Sequence, residues 1–152
     1  MFLSEISTDN GIKRNICQNL VAFMAMDGHI DASEKEQITN IYIEAFGDYK
    51  IDNIALDLLT NITKEKLKDS FSKILSDYPL SNDIVKVKKV LFELLSCALC
   101  NGQYNDDKKE IIEEIANNFS IDISIIKEMK DMINTILILN KKSKELIYNE
   151  RS

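Results

Sequence analysis

The sequence predicts an all-α fold, a single helical bundle of about seven helices, and three observations predict it. Apolar residues recur at spacings of three and four through most of the chain. Only four glycines and one proline punctuate 152 residues, too few for the turns of a many-stranded sheet. A long apolar helix, a glycine turn and a capped amphipathic helix occur twice, with Gly28 and Gly102 in register at a shift of 74. That shift also aligns Ile30 with Tyr104, Glu36 with Glu110 and Ile38 with Ile112, a degenerate internal repeat that suits a pseudo-two-fold bundle. The length fits one domain, residues 1–152, with a core of about 10–139 and a polar tail over 140–152.

Taken in order, residues 1–8 form a short lead-in. Asp9 or Asn10 caps a first helix running to about Met26, with Ile12, Ile16, Leu20, Phe23 and Met24 on its inward stripe. Its end, LVAFMAM, is apolar all round and belongs at the centre of the core. Gly28 stops it, and Asp31-Ala-Ser-Glu34 reads as a capping box for a second helix that buries Ile38, Ile41, Tyr42, Ala45 and Phe46 and closes at Gly47. A third, short helix fits Ile51–Leu59. Thr63 caps a fourth, carrying Leu67, Phe71, Ile74 and Leu75, which stops before Tyr78-Pro79.

Ser81 or Asn82 opens a fifth helix to about Cys100, with Ile84, Val87, Leu91, Leu94, Leu95 and Ala98 inward. Asn105 or Asp106 caps a sixth bearing Ile111, Ile112, Ile115, Ala116 and Phe119. Asp122 begins the last, through Ile125, Ile126, Met129, Met132, Ile133 and Ile136, and its polar tail frays or projects.

Composition excludes several classes. A net charge of −6 lacks the basic face that a nucleic-acid binder needs, and leaves open a basic protein partner or a divalent cation. No window reaches the roughly 18 apolar residues of a spanning helix, so no membrane insertion is expected. The acidic N-terminus lacks a signal-peptide core, and three cysteines are an odd number; both predict a cytoplasmic protein.

The densest group of hard oxygen ligands is DGHIDASEKE, with Asp27, Asp31, Glu34 and Glu36. A calcium-binding helix–loop–helix would need oxygens two and four residues before Asp27, where Ala25 and Phe23 stand. Asp27, Asp31 and Glu34 are therefore read three ways: as helix-terminal caps, as a weak divalent-metal site, or as a protein contact. Ala25-Met26-Asp27-Gly28-His29-Ile30 followed by Glu34, weakly repeated in Ala98 to Tyr104, resembles the TerB-like domains named for the tellurite-resistance protein TerB. The resemblance covers about 10–135. It implies an all-α bundle with pseudo-two-fold symmetry, acidic residues that bind a divalent metal, and a non-enzymatic role in stress-response or envelope-associated complexes. Asp27 and Glu34 match the acidic positions of the first copy. In the second copy Asn101 and Lys108 stand there, and the charge change speaks against a symmetric pair of sites.

Cys97-Ala-Leu-Cys100 has redox or zinc spacing, but a zinc site needs four ligands and the chain supplies only Cys17 and His29 besides, and the motif's place at a helix C-terminus opposes a thiolate. Buried structural cysteines are expected. His29 is read as a turn residue, and no nucleophile–base pattern or phosphate loop points to an enzyme. Three functional readings follow. The first is a TerB-like binding module with a protein partner. The second is a small acidic immunity protein that neutralises a basic toxin by charge. The third is a structural subunit, a homo-oligomer formed through an exposed apolar helix face.

Overall fold

The computed structural model describes residues 2–5, 9–27, 32–47, 63–77, 84–100 and 104–149. They form an all-α bundle of six α-helices: α1 (Asn10–Met24), α2 (Ala32–Phe46), α3 (Lys64–Asp77), α4 (Ile84–Cys100), α5 (Asp106–Asn118) and α6 (Ile123–Tyr148). Short 3-10 turns occupy Leu3–Glu5 and Ala25–Asp27. The helix expected over Ile51–Leu59, the caps Ser81 and Asn82, and the stops Gly28 and Gly102 lie outside the described residues.

Helices start where a side chain can take up free amides of the first turn. Asp9 accepts from the amides of Gly11 and Ile12 at 2.8 and 3.1 Å. Thr63 accepts from Lys66 at 3.3 Å, Asn105 from Lys108 at 3.0 Å and Asp122 from Ser124 at 2.9 Å. The second helices of the two halves stop differently. Gly47, at φ +75°, follows α2 and donates to the Ile43 carbonyl at 2.8 Å. After α5 the left-handed position is filled by Ser120, at φ 55°. There Ser120 donates to the carbonyl of Asn117 and Ile121 to that of Ala116, a Schellman arrangement that glycine ordinarily serves.

The repeat is carried into the helices. Asn10 to Ile84 and Ala32 to Asp106 are both shifts of 74, so the first two helices of each half start in register. The central helices α1 and α4 pack on each other and bury matching positions: Ile16 and Val90, Cys17 and Leu91, Leu20 and Leu94, Val21 and Leu95, Phe23 and Cys97, Met24 and Ala98. Each also buries a polar residue at the same place. Asn19 donates to the Asn15 carbonyl at 2.7 Å, and Glu93 accepts from the amide of Phe2 at 2.6 Å. Around them, α2 and α3 lean on α1, and α5 and α6 lean on α4.

Three expectations change. The lead-in belongs to the core, with Leu3 buried and the Phe2 ring set edge-on to Phe92 at 5.1 Å. Ile84 and Met132, expected inward, are exposed: the one lies in the first turn of α4, the other on α6 at a groove beside α4 rather than under another helix. The polar tail is helical as far as Tyr148 and projects, its residues 138–149 exposed. The side chain of Ile74 lies outside the described residues.

Candidate functional site

Asp27 closes the 3-10 turn that follows α1, and Glu34 stands in the first turn of α2, so the backbone brings these acids to adjoining helix ends. Their side chains, together with Asp31 and His29, lie outside the described residues. Among the described residues no three His, Cys, Asp or Glu side chains are grouped to hold a metal ion. In the second half, Lys108 takes the place of Glu34 and is 1% exposed, its ammonium 5.6 Å from the centroid of the Phe23 ring. A buried cation over an aromatic face is a packing arrangement with a specific partner. The sequence placed Lys108 correctly in the repeat but carried no signal that it is buried.

The cysteines separate. Cys17 and Cys97 are buried, whereas Cys100 is exposed, against the expectation that the cysteines of the Cys97–Cys100 motif are buried. Burial pushes the Cys17 thiol up to about 12, helped by Glu93 and Glu44 and opposed by Lys13. Burial likewise raises Cys97, which Glu93 reinforces. The shift keeps both buried thiols protonated at neutral pH, so neither Cys17 nor Cys97 is an activated thiol of the kind redox chemistry needs. Tyr42 is raised to about 12 by burial and by the nearby Cys17.

Among the described residues, two hollows interrupt the bundle around α6. Between the N-terminal turn, α4 and α6 lies a groove of about 350 Å³, walled by Phe2, Val85, Phe92, Ile125, Met129 and Met132. Lys88, Lys89 and Glu128 rim it. A smaller cavity of about 200 Å³ separates α6 from α2, lined by Gln37, Ser96, Cys100, Ile133, Ile136 and Leu137 with Phe92 at its base. Beyond these hollows α6 runs on with Leu139, Leu146, Ile147 and Tyr148 in solvent, Leu146 and Tyr148 about four-fifths exposed. A helix of 26 residues is about 39 Å long, longer than the 17-residue α4 on which it rests. No described helix is long and apolar enough to cross a membrane.

This ridge was legible in part. Ile125, Met129, Met132, Ile136, Leu139, Ser143 and Leu146 alternate spacings of four and three, the signature of a helix that pairs along one seam. Reading 140–152 as a polar tail cut the pattern short. Arranged in this way, the site can bind an apolar helix or strand of side chains. Comparison with protein-family models, curated proteins and solved structures finds no match to this chain.

Proposed function

We propose that the chain is a non-enzymatic, TerB-like helical binding module whose binding surface is the groove and ridge of α6. One observation carries the reading: Leu139, Leu146, Ile147 and Tyr148 stand in water along the C-terminal part of α6, which the bundle does not cover. Isolated apolar residues on a surface need no explanation, but a continuous row next to an apolar groove marks an interaction site. The TerB-like part rests on the acidic turn and on the two helix pairs in register at 74. A divalent cation at Asp27, Asp31 and Glu34 belongs to the same proposal. The toxin-antagonist reading needs a free acidic face. The acids of α5 that would form one, Asp107, Glu110 and Glu114, are tied to Lys64 and Lys68, which speaks for the ridge instead.

The test is titration of the dilute full chain with a dye that fluoresces on apolar surface, beside a Leu139→Asp/Leu146→Asp variant. Both side chains are exposed, so the variant keeps its circular dichroism. The reading expects the native chain to bind and the variant to lose most of the signal; equal signals would remove the ridge as the binding surface. Calorimetric titration with calcium, magnesium, manganese and zinc tests the acidic turn. Saturable heat that Asp27→Asn abolishes supports it, and silence for every ion reduces the turn to helix caps.

A further inference from the structure

The seam on α6 runs over three heptads and has two halves. Ile125, Met129 and Ile136 are half-buried against the bundle, while Met132, Leu139 and Leu146 are 58%, 59% and 79% exposed. The N-terminal half of the helix therefore presents a groove, and the C-terminal half presents protruding aliphatic side chains. A surface that carries a hollow and matching knobs on one straight helix is complementary to itself when a second helix crosses it in the opposite direction. A strict alternation of four and three is moreover the spacing that keeps one helix face in continuous register with a partner helix.

Charge selects the direction. The projecting segment bears Lys141, Lys142 and Lys144 against one acid, Glu145, although the whole chain is at −6. Side-by-side parallel helices would gather the lysines of both copies at one end. In an antiparallel pair with Leu139 beside Ile136 of the other copy, Lys142 on the flank of the seam comes level with Ile133 of the second copy, about 3 Å of helix rise from Asp131. Both charged side chains are exposed in the single chain. Leu146 and Ile147 then reach the height of Met129 and Glu128, at the mouth of the 350 Å³ groove.

We infer that the occupant of this surface is a second copy of the chain, held as an antiparallel α6–α6 pair with two-fold symmetry, Leu146 and Ile147 of each copy seated in the other's groove. The inference rests on the reading of α6 as the binding surface and names its partner. An interface of this kind pairs both halves of the seam twice over, which is how a two-fold contact reaches the roughly 800 Å² per partner that a stable dimer needs. It also leaves the acidic turn after α1 free.

The experiment is sedimentation of the full chain over a dilution series, with the dye signal measured on the same samples. The expected result is a mass that rises from one chain to two with concentration, while dye bound per chain falls. Leu139→Asp/Leu146→Asp remains at one chain throughout. Lys142→Glu weakens the dimer about tenfold, and Lys142→Glu combined with Asp131→Lys regains most of that loss, a restoration that general stickiness would not give. A chain that stays single at every concentration yet binds dye through the ridge overturns the dimer and leaves the binding-surface reading standing, with an unrelated amphipathic helix as the occupant. A single chain with no ridge-dependent dye signal overturns both. A dimer untouched by both sets of substitutions overturns the α6 pairing.

Discussion

The third helix of each half meets the other half in opposite ways. On one side α3 lies against α5, and Lys68 joins Glu110 at 3.0 Å and Glu114 at 3.1 Å, while Lys64 joins Glu110 at 2.7 Å and Asp107 at 3.3 Å. On the other side, where symmetry would set α6 against α2, a cavity of about 200 Å³ opens. The same scaffold has one seam closed by charge and one left partly open, apolar and extended by a projecting helix. The lesson concerns where to look for function. A closed seam has used its polar and apolar groups on itself, whereas the departure from symmetry leaves surface for a partner.

Substitutions can break or sharpen this contrast. The largest expected effects test the shared centre: Leu20→Ala and Leu94→Ala, at matching buried positions, should each cost about 2–5 kcal/mol in urea unfolding. Costs that differ by more than that range would mean the halves are not equivalent at the core. Filling the open seam is expected to act in the other direction. Ser96→Val, which points a methyl-bearing side chain at the cavity beside Gln37 and Ile133, should raise stability by about 0.5–2 kcal/mol. An unchanged midpoint would show that the cavity is filled in solution.

A smaller gain is expected from Ser120→Gly, since a non-glycine residue in the left-handed region costs about 1 kcal/mol that Gly47 avoids at the end of α2. Thermal melting of the single variant decides it. The closed seam should respond least, and in a way set by salt and pH. Lys68→Met lowers stability at low ionic strength, and the difference from the parent shrinks toward about 1 M salt, where screening is within about 3 Å. The Lys64 and Lys68 hydrogen bonds hold the Glu110 carboxyl below its usual range. Its contribution is therefore present above the unfolded glutamate value of about 4.3 and is lost as pH falls through the lower folded value. In Lys68→Met the acid limb of the stability profile should flatten.

Much of the fold was readable because its causes are local. Asp9, Thr63, Asn105 and Asp122 cap helices through amides two or three residues away, so a short window of sequence contains both partners. The inward stripes of α1, α4 and α5 follow from period alone. The acidic turn was legible as composition, but a metal site is an arrangement of side-chain oxygens in space, which ten residues of sequence do not specify. Burial of Lys108 and Glu93 was not legible, because each depends on what a distant segment brings: the Phe23 ring in one case and the Phe2 amide in the other. Met132 misled for the same reason, since a helical period gives the apolar face without saying which part of it another helix covers.

By itself, then, the sequence determined the all-α class, the caps, the register of 74 between the two helix pairs and the continuous seam of α6, all of which depend on residues a few positions apart. Tertiary structure decided which ends of the pseudo-symmetric bundle close and which stay open. Lys64 and Lys68 meet Asp107, Glu110 and Glu114 only because α3 and α5 are brought together across about forty residues of chain. The exposed ridge exists because α6 outlasts the helix it packs on. Both outcomes depend on the relative placement of whole helices, a property that no local window of residues contains.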